Sequence, residues 1–175
     1  RQTASLSRSF RTFAPTFIKA GDSVPSVAVH EGSPGNEVNL AEETANGKYV
    51  IIGVPGAFSP ACSASHAPGY IKNLDALKSK GVSQVFVVAV NDAFVTKAWS
   101  EALDAPSDVR FIADASGEFS KKFDTLLADA AKFFGNARTK RYAAIVENGK
   151  VTKEFVEPDN FGLEVSVAEN ILKQL

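Results

Sequence analysis

The sequence predicts an α/β fold in which helices flank a central mixed β-sheet, and three observations support this prediction. Short runs rich in β-branched residues, at 48–54, 84–90 and 109–113, are almost continuously apolar, which is typical of strands covered on both faces. Segments with helical periodicity separate these runs, and an Asn-Gly pair further along indicates a hairpin. Because the chain has 175 residues, we expect one domain at 18–175 after a leader at 1–17.

The three apolar runs, which read KYVIIGV, QVFVVAV and VRFIA, are predicted to be the central strands. Two crossover helices are predicted between them. The first spans residues 71–81, and Gly81 is its stop signal. The second spans residues 92–103. Its predicted inward face consists of Phe94, Val95, Ala98, Trp99 and Leu103.

The last third of the chain predicts an antiparallel hairpin and a closing helix. The segments RYAAIV and KVTKEFVE flank Asn148 and Gly149, two residue types that readily adopt the positive φ of a type I′ turn. Antiparallel strands therefore accompany the parallel ones, which makes the predicted sheet mixed. Residues 165–175 form an amphipathic pattern. Its inward positions are Val167, Ile171, Leu172 and Leu175.

The charge distribution argues against a nucleic-acid partner. Four of the 19 Lys and Arg residues lie in the first twenty positions, whereas all 20 Asp and Glu residues follow them, so the remainder is acidic. No apolar run approaches the ~18 residues that a membrane span requires, and we expect no membrane partner. The single cysteine excludes an intrachain disulfide framework and a multi-thiolate zinc site. This usage favours a reducing compartment.

The leader is rich in Arg, Ser and Thr and has no acidic residue, as is typical of an organelle transit peptide. We therefore predict a mitochondrial location, with the cytoplasm and the peroxisome as alternatives. The chain ends in Lys173-Gln174-Leu175, which is only faintly similar to the peroxisomal SKL signal. A basic tail that carries no address is the other interpretation of the leader.

Cys62 lies in the stretch VPGAFSPACSASH, directly after the first predicted strand. Pro60 suits the first turn of a helix because it lacks an N–H group, so Cys62 also falls in that turn. Unpaired backbone N–H groups and the helix dipole there favour a thiolate over a thiol. Ligand crevices in α/β sheets also open at the carboxyl ends of strands. We expect a nucleophile at the mouth of a crevice, and a buried, unreactive cysteine is the alternative.

This stretch resembles the peroxiredoxin signature. Pro55-x3-Ser59-x2-Cys62 is similar to the family's PxxxTxxC, with serine in the threonine position. VPGAFSPACSASHAPGY resembles the GVPGAFTPxCSxxHxPG of the type V subfamily, and VNDAFVTKAW, FGNARTKRYAAIV and EPDNFGLEVSVAENIL resemble further segments of it. The resemblance implies a thioredoxin-like fold and an antioxidant enzyme that reduces hydrogen peroxide and organic hydroperoxides through a cysteine.

The resemblance also implies roles for individual residues. Cys62 attacks the peroxide, the Ser59 hydroxyl donates to it, and Arg141, which directly precedes an aromatic residue, stabilises the departing oxygen. Pro55 is expected to shape the loop and to shield the sulfur from water. The rivals for the arginine role are Arg138 and Lys140. We assign the following residues to the substrate pocket: Phe58, Ala61, His66, Phe133 and Phe134.

His66 supports two competing interpretations. It follows Cys62 by four residues, so it could act as a general base in a Cys-His hydrolase. A hydrogen-bonded structural histidine is the alternative, because no orienting partner or acyl site is recognisable. Metal binding by Cys62, His66 and His30 is a weaker hypothesis, since no further ligand lies at a spacing typical of metal sites. We predict neither a metal nor another cofactor.

The single cysteine has a mechanistic consequence. Many type V relatives carry a resolving cysteine near the position that Val165 occupies here. Because this chain has no second cysteine, an external thiol must reduce the oxidised Cys62. The expected partners are a peroxide, glutathione with glutaredoxin or alternatively thioredoxin, and, from the resemblance, a second copy in a homodimer. A peroxide sensor or redox relay that oxidises a partner protein is the alternative function.

Overall fold

The computed structural model describes residues 17–175 and contains the predicted mixed sheet. Within those residues, seven strands form one sheet in the order β2-β1-β5-β4-β3-β8-β9, and two short strands, β6 and β7, form a second sheet. The strands are β1 (Ala28–Glu31), β2 (Ser33–Asn39), β3 (Lys48–Val54), β4 (Val82–Ala89), β5 (Val109–Ala113), β6 (Leu126–Leu127), β7 (Arg138–Thr139), β8 (Tyr142–Glu147) and β9 (Lys150–Val156).

Helices connect these strands. The α-helices are α1 (Leu40–Glu43), α2 (Ala67–Lys72), α3 (Leu74–Ser79), α4 (Ala93–Ala102), α5 (Glu118–Lys122), α6 (Ala131–Phe134) and α7 (Ala168–Gln174). A π-helical segment, Cys62–His66, directly precedes α2, and a 3₁₀ turn, Ala128–Ala130, precedes α6. No helix within residues 17–175 is long and apolar enough to cross a membrane. The predicted leader lies outside the described residues, apart from Phe17.

The three central strands are confirmed. β3, β4 and β5 lie side by side and run parallel, while β8 pairs antiparallel with β3 and β9 pairs antiparallel with β8. The hairpin between β8 and β9 turns at Asn148 and Gly149, whose φ values of 49° and 77° are those of the predicted turn. The predicted fold class is therefore confirmed.

Side chains alternate between the two faces of the sheet and divide the core into two apolar clusters. Val50, Ile52 and Val54 belong to one cluster, and Ile51 belongs to the other. The first cluster also contains Cys62, so the single thiol of the chain packs against the sheet.

Two helix predictions need correction. Residues 71–81 do not form one helix, because the helix is interrupted at Asn73. The side-chain Nδ2 of Asn73 donates to the Gly69 carbonyl. An Asn side chain competes for backbone groups in this way and weakens a helix. In α4 the buried residues are Ala93, Thr96 and Trp99.

The predicted inner face of α4 is thus only partly correct. Trp99 is buried, but Phe94 is 68% exposed. Asp92 caps the helix by accepting from the Val95 N–H, and the helix that starts there turns the 93, 96 and 99 positions inward. The closing helix is shorter than predicted and has Ile171 as its buried inward residue; Val167, Leu172 and Leu175 are half-buried.

Candidate active site

The site begins where β3 ends and the chain turns into a helix. Pro55 and Gly56 are buried, and the Ser59 N–H donates to the Gly56 carbonyl across a tight turn. Phe58 in this turn has φ of 60°, a left-handed conformation that is strained for a residue with a large side chain. The helix starts at Pro60, so the prediction that Cys62 lies in its first turn is confirmed.

The helix is π-helical at the cysteine. The Ala67 N–H donates to the carbonyl of Cys62, five residues earlier. Such single π turns inside α-helices occur frequently at functional sites.

Cys62 itself is fully buried, with 0% of its surface exposed. The expectation of a sulfur at the open mouth of a crevice is therefore wrong for this conformation. The physical reason is that the first turn of the helix packs against the apolar cluster on one face of the sheet. In this conformation the surrounding side chains cover the sulfur.

Arg141 meets the sulfur inside this buried region. Its Nη2 donates to Cys62 Sγ over 3.4 Å, its Nη1 lies 3.1 Å from Nδ1 of His66, and its Nε donates to the Phe161 carbonyl over 3.0 Å. Only 2% of Arg141 is exposed. Because each guanidinium nitrogen has a partner, the positive charge is held in one orientation against the thiol.

His66 is the second buried polar neighbour. Its Nε2 lies 3.1 Å from the Ser166 carbonyl, and the Tyr70 hydroxyl donates to the same oxygen over 2.6 Å. Burial, followed by the adjacent charge of Arg141, lowers the pKa of His66 to about 3. The neutral ring therefore donates from Nε2 to Ser166 and accepts at Nδ1 from Arg141.

This arrangement separates the two interpretations of His66. The Nδ1 lone pair already accepts from Arg141, so it is not available to take a proton from Cys62, and the geometry favours the hydrogen-bonded structural histidine. His66 is 1% exposed. Both ring nitrogens have partners in this structure, so His66 supports the arginine, and its assignment to the substrate pocket stays a prediction.

The Ser59 hydroxyl differs from its expected orientation. It donates to the Gly56 carbonyl over 2.8 Å, so in this conformation it closes the turn. Serine hydroxyls rotate readily because they lack the β-methyl group of threonine. Donation to a peroxide requires rotation of this hydroxyl away from Gly56.

Arg138, a rival for the arginine role, lies beside the turn that contains Pro55. Its Nη1 donates to the Pro55 carbonyl over 3.2 Å, and its guanidinium carbon stands 4.7 Å from the centre of the Phe134 ring. Burial lowers the pKa of Arg138, and the electrostatic influence of Cys62 opposes this shift. The other rival, Lys140, lies over the Phe17 ring instead.

The aromatic pocket residues fall into two places. Phe133 and Phe134 line an apolar cleft of about 280 Å³ together with Phe161, and Phe133 is 78% exposed. Phe58 is 53% exposed and lies 6.5 Å from the Trp99 ring. Ala61 is half-buried at the start of the helix. The structure therefore brings Phe133 and Phe134 together but places Phe58 beside α4.

Sequence reasoning missed the segment that encloses Arg141. Phe161 and Ser166 contribute backbone carbonyls, which leave no signal in a sequence. Glu157 is 1% exposed and lies directly before Pro158; the only available signal was this acidic residue within the resembling EPDNFGLEVSVAENIL segment. Residues 17–175 contain no group of three or more His, Cys, Asp or Glu side chains that could hold a metal ion.

Comparison with known proteins gives consistent matches. The redoxin family model matches residues 19–172. Peroxisomal membrane associated protein 20 of Schizosaccharomyces pombe is 46% identical over 160 residues, covering 90% of this chain and 99% of that protein. Peroxiredoxin-2D of Arabidopsis thaliana is 40% identical over 162 residues, covering 90% of this chain and 98% of that protein.

A solved structure supports the same relationship. Reduced Prx3 in complex with H₂O₂ from Vibrio vulnificus is 41% identical and has a TM-score of 0.83, with 91% of this chain and 100% of that chain covered.

Proposed function

The chain belongs to the redoxin family and is a peroxiredoxin, and on this premise we propose that Cys62 attacks the peroxide while Arg141 stabilises the departing oxygen. The protein is a thiol-dependent peroxidase with an antioxidant role. The observation that carries the proposed residue roles is the 3.4 Å contact between Arg141 Nη2 and Cys62 Sγ.

In the first step, the Cys62 thiolate attacks the terminal oxygen of a hydroperoxide. An S–O bond forms and the O–O bond breaks, so the sulfur is oxidised to a sulfenic acid and the peroxide is reduced to an alkoxide or hydroxide that then takes up a proton. Negative charge moves onto the departing oxygen in the transition state. Donors fixed beforehand stabilise that charge, and Arg141 is held by three partners for this task.

The second step uses an external thiol, because the chain contains a single cysteine. The external thiolate attacks the sulfenic sulfur, the S–O bond breaks, and the hydroxide that leaves takes up a proton to become water, which yields a mixed disulfide. A second thiol then attacks this disulfide, releases Cys62 as a thiol and leaves as a disulfide with the first thiol. We favour glutathione with glutaredoxin as the reductant and keep thioredoxin as the alternative. Val165 lies near the position of the resolving cysteine in many type V relatives, and a valine cannot form a disulfide with Cys62.

Two kinds of peroxide fit this site. The Vibrio vulnificus relative whose structure holds H₂O₂ supports hydrogen peroxide as a substrate. The cleft of Phe133, Phe134 and Phe161 supports organic hydroperoxides, because their apolar groups gain by leaving water. The exposed ring of Phe133 also suits the homodimer that the family resemblance implies, and sedimentation equilibrium tests that assembly.

The test of the proposed function is a reconstitution with two reductants. Peroxide consumption is followed with glutathione and glutaredoxin, and separately with thioredoxin and its reductase. We expect turnover with at least one system, and intact mass spectrometry should detect the mixed disulfide with glutathione. Cys62→Ser is the control and must lose turnover. A protein that consumes no peroxide with any thiol, although the fold is intact, would refute the one-cysteine cycle.

The compartment is a separate proposal. The basic leader favours mitochondria, whereas the similarity to a protein named for the peroxisome favours peroxisomes. We propose that the leader directs the protein. A fluorescent fusion of residues 1–20 should then enter mitochondria, and a fusion that carries only the last ten residues should stay in the cytoplasm. Peroxisomal import of the second fusion would reverse the assignment.

A further inference from the structure

A buried carboxylate at the end of β9 holds the segment that surrounds Arg141. Oε1 of Glu157 accepts hydrogen bonds from the backbone N–H groups of Glu164, Val165 and Ser166 over 2.9, 3.0 and 2.8 Å, and from the Ser166 hydroxyl over 2.7 Å. The other oxygen, Oε2, is buried and has no hydrogen-bond partner among the described residues. Because four donors converge on this one oxygen, a single side chain fixes the backbone of three consecutive residues.

The clamped segment is connected to the sulfur by a continuous chain of contacts. The carbonyl of Ser166 accepts from His66 Nε2, and His66 Nδ1 accepts from Arg141 Nη1. Arg141 Nη2 in turn contacts Cys62 Sγ. Glu157, Ser166, His66, Arg141 and Cys62 are each no more than 2% exposed.

The same segment also binds the backbone of Arg141. The Glu157 N–H donates to the Arg141 carbonyl over 3.0 Å, and the Arg141 N–H donates to the Asn160 carbonyl over 2.9 Å. Arg141 Nε donates to the Phe161 carbonyl. The segment 157–166 thus contacts the arginine directly at Glu157, Asn160 and Phe161. It also contacts it indirectly, because the Ser166 carbonyl accepts from His66.

We propose that Glu157 is a positioning residue for the peroxidase reaction, which aims the Arg141 guanidinium at Cys62 by fixing the Ser166 carbonyl that orients His66. This inference rests on the proposed function, in which Arg141 acts on the peroxide. Small displacements of a positioned charge have large effects on the rate. Glu157 touches neither the peroxide nor the sulfur, so its effect must pass through the arginine.

The experiment compares two reactions of Cys62 in the reduced, full-length protein. Reaction with hydrogen peroxide breaks an O–O bond and needs the arginine, whereas alkylation by iodoacetamide does not. Glu157→Asp keeps the charge but shortens the side chain, so its carboxylate cannot reach all four donors. We expect the peroxide rate to fall on the order of tenfold and the alkylation rate to change by less than about twofold.

Two further variants serve as controls. Glu157→Gln keeps an acceptor oxygen at the same reach and should restore most of the peroxide rate. Glu164→Gln changes an exposed carboxylate of the same segment and should leave both rates unchanged. If the peroxide and alkylation rates of Glu157→Asp fall by the same factor, or if neither changes, the positioning role is wrong.

A double-mutant cycle separates this inference from the proposed function itself. In an Arg141→Ala background, Glu157→Asp should lower the peroxide rate by less than about twofold, because the arginine through which it acts is gone. An undiminished effect in that background would overturn the inference. If Arg141→Ala alone slows peroxide attack and alkylation equally, the proposed role of Arg141 fails instead.

A spectroscopic measurement reports on the connection directly. The chain has two histidines, so the ring nitrogens of His66 can be assigned by NMR with a His30→Gln variant. We expect the wild-type His66 ring to carry its proton on Nε2, and Glu157→Asp to shift both ring-nitrogen signals. Unchanged His66 signals together with a normal peroxide rate would contradict the proposal.

Discussion

Nη2 of Arg141 lies 3.4 Å from Sγ of Cys62, although 79 residues separate them in the chain and both side chains are buried. A full positive charge is costly to bury unless it is paired and hydrogen-bonded. The protein meets this requirement with His66 and the Phe161 carbonyl. In the proposed mechanism, this contact places an oriented cation where negative charge develops as the peroxide bond breaks.

Arg141→Ala should slow the reaction of Cys62 with hydrogen peroxide by about 100-fold, because removal of one preorganised donor has effects of that size. Alkylation by iodoacetamide should slow far less, since it has no departing peroxide oxygen to stabilise. Stopped-flow measurement of both reactions is the check. Lys140→Ala, which removes the neighbouring cation over Phe17, is the matched control. Equal slowing of both reactions would mean that Arg141 acts only on ionisation of the thiol.

Substitutions at Ser59 should separate its hydroxyl from its small size. Ser59→Ala is expected to lower peroxide turnover by about tenfold, because a donor to the peroxide is lost. Ser59→Thr should retain turnover, since threonine carries the same hydroxyl with fewer rotamers. Steady-state peroxide consumption with glutathione measures both variants. The proposed hydroxyl role would have to be abandoned if neither variant changed turnover.

The buried histidine should make the protein less stable in acid. The pKa of His66 is lowered to about 3, whereas histidine in the unfolded chain has a pKa of about 6.5. Between these values the unfolded state binds more protons, so the stability contribution is complete above about pH 6.5 and is lost as the pH falls towards 3.

His66→Gln removes this titration while keeping a donor and an acceptor for Ser166 and Arg141. Between pH 6.5 and 4.5, the wild type should lose about 2–3 kcal/mol more unfolding free energy than His66→Gln. Urea denaturation at the two pH values measures this difference. His30→Gln, which removes the other histidine, should behave as the wild type does. Parallel losses in the wild type and His66→Gln would contradict the buried neutral ring.

Gly53 of β3 allows the ring of Tyr142 to lie against the strand. A Cβ atom at Gly53 would overlap that ring and come within 2.9 Å of the Lys140 carbonyl oxygen. We expect Gly53→Ala to lower the free energy of unfolding by about 3 kcal/mol through overpacking. In Gly69→Ala the new Cβ meets only Ala168 Cβ at 3.9 Å, and removal of a helical glycine should stabilise the protein by up to about 1 kcal/mol. Equal thermal unfolding of both variants would refute the packing argument.

Much of the fold could be predicted from local patterns. Apolar runs identified β3, β4 and β5, and Asn148-Gly149 identified the turn between β8 and β9, because burial on both faces and positive φ each restrict the residue types. The helix of Trp99 was predicted, but its buried face was predicted only in part. The rotation of α4 depends on the Asp92 cap and on how the helix meets the sheet, which periodicity alone does not specify.

The site was predictable where a motif carried it. The resemblance to peroxiredoxins selected Cys62 and Arg141, and the structure brings these two together. The resemblance did not reveal that the Ser59 hydroxyl donates a hydrogen bond to the Gly56 carbonyl or that the His66 ring is enclosed. These features depend on the conformation of a turn and on how side chains are buried. The identity of a residue determines neither of them alone.

The sequence by itself determined where the three central strands and the β8–β9 hairpin lie, where the helix of Cys62 begins and that a single thiol must rely on an external partner. These properties follow from neighbouring residues and from composition. The tertiary structure alone decided what surrounds the sulfur. The antiparallel register that pairs Gly53 with Tyr142 brings Arg141 to the end of β3 from which the Cys62 loop departs. The segment after β9 then folds back so that Glu157, Ser166 and His66 hold the arginine, since buried polar groups must find partners across the chain.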